Sequence, residues 1–377
     1  MSRPTIAEID LRALRFNLDQ LRGLTGGKAE VLAVVKANAY GHGATEIARE
    51  LESAGARIFG VATTEEGIEL RLSGIRAPIL VFGGTYPEEF GRILANRLTP
   101  VIYDLEIARA FQARAEKEKK ALSVHLKIDT GMNRMGISWR EWTSALEILE
   151  GLKNLKVEGL LSHFSVAEGE GPDDRAFTGE QLARFAKCVD SARKRGIKAS
   201  FVHLANSAAA ALWRQARFNL VRPGLMLYGY HPSPNLERLI SLKPVLRWKT
   251  AILSLKSVPA GDTISYGRSY CCRKETRIAV LPVGYADGYN RRLSNRGEVI
   301  IRGRRAKVSG IVCMDLTMVD VSEIPGVQAG DEVVLLGRQG SAEITAVEMA
   351  GWVESIPYEV LCGIGKRVPR VYRQSEG

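Results

Sequence analysis

A (β/α)8 barrel followed by a mostly-β domain is the fold this 377-residue sequence predicts. Three observations carry the expectation. Eight short, apolar, β-branched runs alternate with helical stripes over about the first 230 residues, the number of strands such a barrel needs. No glycine-rich dinucleotide fingerprint follows the first run, which disfavours the open doubly wound sheet that the same elements would otherwise allow. After the break Pro232-Ser-Pro234 the helical stripes give way to closely spaced strands. The expected domains are 1–239 for the barrel and 240–377 for the β-rich part.

Taken in order, the barrel strands are expected at Val31–Val35, Ile58–Val61, Pro78–Phe82, Leu98–Tyr103, Leu122–Ile128, Val157–Leu161, Phe201–Leu204 and Leu220–Tyr228. Leu11, Leu14, Leu18 and Leu21 share one face of a helix that precedes the first of them. Ser138-Trp-Arg-Glu141 has the spacing of a capping box, opening a helix that carries Trp142, Leu146 and Leu149. Leu182, Phe185, Val189 and Ala192 form a further stripe, stopped by Arg193-Lys-Arg and Gly196. Beyond residue 240, strands are expected at Val245–Leu255, Arg277–Val283, Glu298–Ile301, Ala306–Val312, Thr317–Val321 and Glu332–Leu336. Turn residues at Pro259-Ala-Gly-Asp262 and Asn295-Arg-Gly297 separate them.

Composition narrows the function classes. With 45% apolar and 25% charged residues the chain has an ordinary globular balance. Its longest apolar runs fall far short of the roughly 20 residues of a membrane-spanning helix, so no membrane partner is expected. Met1-Ser-Arg-Pro-Thr lacks the apolar block of a secretory leader. The five cysteines are odd in number and show no CxxC spacing, which suggests neither a disulfide framework nor a metal site and fits a cytoplasmic compartment. The net charge of +11 is dispersed, and its densest cluster (Arg302, Arg304, Arg305, Lys307) alternates with apolar residues as a strand would. No nucleic-acid signature accompanies it, so small anions are the expected partners.

Barrels of this class place their chemistry where strands end. Lys36 follows the first run and leads into Ala-Asn-Ala-Tyr40-Gly-His42-Gly43. A lysine there is either partly desolvated, with its amine freed for Schiff-base chemistry, or snorkelling to solvent. The fifth strand ends in Lys127-Ile-Asp129-Thr-Gly-Met-Asn-Arg134, the sixth in His163, the seventh in Asn206-Ser207, and the eighth holds Arg222-Pro-Gly224. Ser207 and Gly224 lie where barrels build phosphate sites, or are a helix cap and a packing glycine. His163 is either a core histidine or a flat partner for an aromatic cofactor. Arg134 and Arg222 are either structural ion-pair partners or a pair that holds an anion or an acceptor nitrogen.

Together these segments resemble the alanine racemase family along nearly the whole chain. The similarity runs through Ala33-Val-Val-Lys36-Ala-Asn-Ala-Tyr40-Gly-His42-Gly43, Lys127-Ile-Asp-Thr-Gly-Met-Asn-Arg134-Met-Gly136 and Val221-Arg222-Pro-Gly224. It continues in Ser265-Tyr266-Gly267, Gly284-Tyr-Ala-Asp-Gly-Tyr289, Cys313-Met314-Asp315, Pro357-Tyr358-Glu359 and Arg367-Val-Pro-Arg370. Their shared order and spacing make the resemblance specific.

The resemblance implies pyridoxal 5'-phosphate as cofactor, held on Lys36 as an internal aldimine. It would place Tyr40, Ser207, Gly224 and Tyr358 at the phosphate, His163 at the ring and Arg222 at the pyridine nitrogen. Arg134 and the Met314 backbone would hold the carboxylate of the substrate, alanine. Lys127, with Asn206 in a supporting place, matches a lysine that is carbamylated in some family members. Lys36 and Tyr266 would be the two bases that exchange the α-proton between L- and D-alanine. Both Tyr266 and Met314 fall in the β-rich domain, so the resemblance implies a homodimer with shared sites and a role in supplying D-alanine for peptidoglycan. A racemase of broader or different amino-acid specificity on the same scaffold is the alternative.

Overall fold

The computed structural model describes residues 3–374. Met1 and Ser2, the start of the stretch read above as lacking a leader, lie outside the described residues. The chain divides into two compact units.

The larger unit comprises Ala13–Ala39 and Ala44–Lys243. Its sheet contains eight parallel strands: Glu30–Val34, Ile58–Val61, Ile79–Val81, Leu98–Ile102, Leu122–Asp129, Leu155–Leu161, Phe201–His203 and Leu220–Val221. The first seven pair in sequence order, and the eighth pairs with the first through Leu220↔Glu30 and Val221↔Val31. Between the seventh and eighth strands single bonds replace a ladder, Asn219 N–H to the Val202 carbonyl at 3.4 Å and Arg222 N–H to the Ala205 carbonyl at 2.9 Å. The cylinder is therefore nearly closed, with helices in between, as the alternation of runs and stripes predicts.

Two local expectations are corrected. The run Leu220–Tyr228 is a strand only over Leu220–Val221, because Pro223 cannot donate to a ladder; Leu225–Tyr228 coils into a 3-10 turn instead. Ser138 does not cap the helix Trp142–Gly151 but belongs to a two-residue strand, Ile137–Ser138, paired with the fifth barrel strand. The stripe ending at Gly196 is confirmed as the helix Pro172–Lys194, and Gly196 takes the positive φ of 84° that such a stop uses.

The second unit comprises the segment ending at Arg12, Tyr40–Gly43 and the chain from Pro244 onward. Its main sheet runs Arg304–Lys307, Glu298–Ile301, Glu332–Gln339, Leu246–Ala251, Ile6–Asp10, Arg370–Arg373. The chain's first strand, Ile6–Asp10, thus pairs antiparallel with Leu246–Ala251 and parallel with Arg370–Arg373. A three-stranded sheet of Ser254–Val258, Thr276–Leu281 and Thr317–Asp320, and a short hairpin of Thr263–Ile264 with Tyr270–Cys271, complete the strands that position the site.

Candidate active site

At the ends of the barrel strands the larger unit gathers Lys36, Lys127, Arg134, His163, Asn206, Ser207, Arg222 and Gly224. Arg222 is buried and is the most heavily anchored of them. Its Nη1 donates to His203 Nδ1 at 3.0 Å, and its Nη2 donates to His163 Nδ1 at 3.0 Å and to the carbonyls of Ser162 at 2.8 Å and Leu204 at 3.1 Å. Burial pulls its guanidinium down to about 9, which leaves it charged at neutral pH. Lys127 is also buried. Burial first, then the nearby Arg134 and Arg222, lowers it to about 8. The same burial, with Arg222, Arg134, Lys127 and Lys36 around it, holds His163 well below the usual imidazole range.

The loop that carries Arg134 is shaped locally. Asp129 Oδ1 accepts from the backbone N–H of Gly131 at 2.8 Å and of Asn133 at 3.2 Å. Gly136 folds back so closely that a Cβ there would lie 2.7 Å from the Asp129 nitrogen. Asn206 caps the helix Ser207–Leu212 through Oδ1 to Ala209 N–H at 2.9 Å. Beside it, Gly224 N–H donates to Ser207 Oγ at 3.0 Å, so two of the expected phosphate donors adjoin one another.

Lys36 lies two residues beyond the first strand and is exposed, so its apolar strand alone does not desolvate it. It opens an unusual turn. Ala37, Asn38, Ala39 and Tyr40 all take left-handed backbone angles, with φ between 52° and 54°. Asn38 Oδ1 accepts from Ala44 N–H at 2.8 Å, and Glu66 Oε1 accepts from Ala37 N–H at 2.7 Å.

In the second unit, Tyr40 and Tyr358 come together, their ring centroids 5.9 Å apart. Gly41 permits this: a Cβ there would meet the Leu361 carbonyl oxygen at 2.2 Å. Arg370 braces the same place, donating to the carbonyls of Gly41, Gly365, Val368 and Ile364 at 2.9, 2.6, 2.7 and 2.6 Å. Burial raises the Tyr40 phenol, with Tyr358 adding to the effect. Tyr266 stands at the tip of the short hairpin, 72% exposed, between Ser265 and Gly267 at φ of 67° and 66°. The Met314 carbonyl accepts from Ala286 N–H at 3.0 Å, an approach that only a glycine at 284 allows, since a Cβ would lie 2.3 Å from that oxygen.

Comparison with known proteins decides the family. Residues 9–232 match the model of the alanine racemase N-terminal domain, and residues 245–372 that of the alanine racemase C-terminal domain. The chain belongs to the alanine racemase family. It is 48% identical to alanine racemase of Geobacter sulfurreducens over 98% of this chain and 97% of that protein. Against alanine racemase of Halothermothrix orenii it is 44% identical over 100% and 99%. The solved alanine racemase of Clostridium difficile superposes with a TM-score of 0.93 at 37% identity, covering 99% of this chain and 96% of that one. That of Bacillus anthracis with bound L-Ala-P gives 0.93 at 34% identity, over 99% and 96%.

Within the larger unit, three side chains that shape the barrel-end cluster carry little signal in the sequence. His203 and, behind it, His125 extend the bonds of Arg222 inward, with His125 Nδ1 2.8 Å from His203 Nε2. Gln181, buried on the long helix, holds the His163 segment by donating to the His163 carbonyl at 3.1 Å and accepting from Ser165 N–H at 3.0 Å. None has a local motif. Only a polar residue on an otherwise apolar strand or stripe marks them.

Proposed function

We propose that this enzyme interconverts L- and D-alanine by exchanging the α-proton between two bases on opposite faces of the substrate, with pyridoxal 5'-phosphate bound at the barrel end. The observation that carries the reading is the buried Arg222, fixed by two imidazoles and two carbonyls within a cluster of cations.

The donor set supports that cofactor. Ser207 and the Gly224 amide suit a phosphate, and by the resemblance to the family Tyr40 and Tyr358 would add two more hydroxyls. Arg222 has both Nη groups engaged and would offer its Nε–H to a ring nitrogen; having no lone pair, it cannot take a proton from one. Pyridoxal phosphate, when bound, supplies the electron sink that makes an α-proton removable. Lys36 would hold it at the aldehyde carbon until the amine of the substrate takes that place, which would free Nζ of Lys36 to act as a base.

The chain's own residues do the rest. Arg134 and the Met314 backbone N–H would grip the carboxylate and so fix which faces of the α-carbon are presented. For D-alanine, Nζ of Lys36 takes the α-proton from one face while Oη of Tyr266 delivers a proton to the other; for L-alanine the roles reverse. His163, neutral beside Arg222, would line the ring face without adding charge. The hydroxyl base comes from the second copy in a homodimer. The five free cysteines suit a reducing, cytoplasmic compartment, where the enzyme would supply D-alanine for peptidoglycan.

A chiral assay of the purified protein with L-alanine, L-serine and L-lysine tests this. D-alanine is the expected product, and borohydride reduction of the yellow protein is expected to fix the cofactor on Lys36. Turnover of serine or lysine in preference to alanine, or a label on any other residue, would overturn it.

A further inference from the structure

The bonds around Arg222 have a direction, and following it leads to a residue outside the expected site. We propose that His125 is a positioning residue for Arg222: it terminates a one-way chain of hydrogen bonds that fixes the tautomer of each imidazole beside the guanidinium. This rests on the reading of Arg222 as the group that faces the cofactor ring.

A guanidinium only donates. His203 Nδ1, 3.0 Å from Arg222 Nη1, therefore accepts and carries no proton. A neutral imidazole then bears its proton on Nε2, and that atom points at His125 Nδ1 from 2.8 Å. His125 accepts in turn, so its own proton sits on Nε2. On the other side, Arg222 Nη2 donates to His163 Nδ1 at 3.0 Å, which makes that ring Nε2-protonated as well. One charged group dictates three tautomers.

Protonating any of the rings would set donor against donor. The environment opposes it: both His125 and His203 are buried, and the charges that face His163 are Arg222, Arg134, Lys127 and Lys36, all cations. Burial and Arg222 hold His125 down to about 3 and His203 well below the ordinary range.

The fold makes specific provision for the His125 ring. The pairing of the fifth and sixth strands slips by one residue between Val124 and His125, so that Val124 pairs with Val157 but His125 with Gly159. Such a slip re-aims a side chain. Opposite it, a Cβ at Gly159 would lie 2.2 Å from His125 Nδ1, the accepting atom itself. The Phe201 ring stacks on the imidazole at 5.8 Å. Without His125, the His203 Nε2–H would be buried with nothing to accept it. Moving that proton to Nδ1 would then turn it against Arg222.

Nitrogen-resolved NMR of isotope-labelled histidines in the full-length protein, with and without added pyridoxal phosphate, tests the chain directly. His125, His163 and His203 are expected to be Nε2-protonated and not to titrate where a free imidazole does. In His125→Leu the His203 signal is expected to change tautomer, and kcat to fall about ten-fold with KM unchanged, the size expected when one buried donor loses its acceptor. His125→Asn, whose Oδ1 replaces Nδ1 as acceptor, is expected to restore both. A proton on Nδ1 of any of the three in the wild-type protein, or a His125→Leu variant with unchanged His203 signals and kcat, would overturn the inference. If His125→Leu does not fold, the wild-type and His125→Asn spectra decide it. Correct tautomers in a protein that racemises no alanine would instead sink the functional reading and leave the chain standing.

Discussion

Lys127 shows how much a single residue's surroundings decide. Buried beside Arg134 and Arg222 and lowered to about 8, its amine is partly neutral near physiological pH. The sign is unfavourable to the bare lysine: the folded protein penalises the ammonium fully below about pH 8, and the penalty fades as pH rises toward the ordinary lysine value. A carbamate answers both problems, because the neutral amine adds to carbon dioxide, releases a proton and leaves an anion among cations. Isotopically labelled bicarbonate is therefore expected to give one carbamate resonance that Lys127→Ala lacks, and to raise Tm in the wild-type protein only. Identical spectra for the two proteins would rule the modification out. At this scale the sequence is uneven. Lys36, Arg222 and Ser207 are legible because strand ends announce them, whereas Glu66, Gln181 and His125 look like an ordinary helix cap, a helix polar residue and a core histidine. Glu66 meets Ala37 across 29 residues of sequence, Gln181 meets Ser165 across 16 and His125 meets His203 across 78, and no local pattern encodes such pairings.

Among elements, the left-handed turn after Lys36 is the most demanding. Four consecutive residues with a Cβ occupy a region that costs roughly 1–2 kcal/mol each. Such strain persists only where neighbours over-determine it. Glu66 is the principal neighbour: one carboxylate oxygen accepts from Ala37 N–H and the other from Ala62 N–H, both at 2.7 Å, tying the turn to the end of the second barrel strand. Glu66→Ala removes both bonds and the capping box that the residue forms with Thr63. It is expected to lower unfolding free energy by about 1–2 kcal/mol in urea titration, with a loss of kcat as Lys36 loosens. Unchanged stability and rate would mean that the turn sustains itself. Element by element, the eight barrel strands follow from hydrophobic periodicity, since each is short, apolar and bounded by helical stripes. The strand Ile6–Asp10 escapes it because its partners begin at Leu246 and Arg370, and periodicity is blind to who pairs with whom. The turn at Ala37 escapes it because neither alanine nor tyrosine advertises a positive φ.

For the whole molecule the question is how many chains make one site. Tyr266, Met314 and Ile356 in the second unit are 72%, 53% and 57% exposed, a costly way to display large apolar side chains unless something covers them. A two-fold dimer in which each site takes Lys36 from one copy and Tyr266 from the other would use them. That arrangement makes a quantitative claim. Lys36→Ala and Tyr266→Phe are each expected to be inactive alone. Refolded together in equal amounts, half of the dimers would be mixed, and each mixed dimer would hold one site with both lesions and one with neither. About a quarter of wild-type activity should therefore return, by counting over a closed two-fold pair. A self-contained monomer predicts none, because each chain still carries its own lesion. Recovery between a quarter and a half would mean that unlike chains pair preferentially, and recovery above a half exceeds what a closed two-fold pair can supply. Measuring the activity against mixing ratio separates these cases, since shared sites alone give a symmetrical maximum at equal amounts.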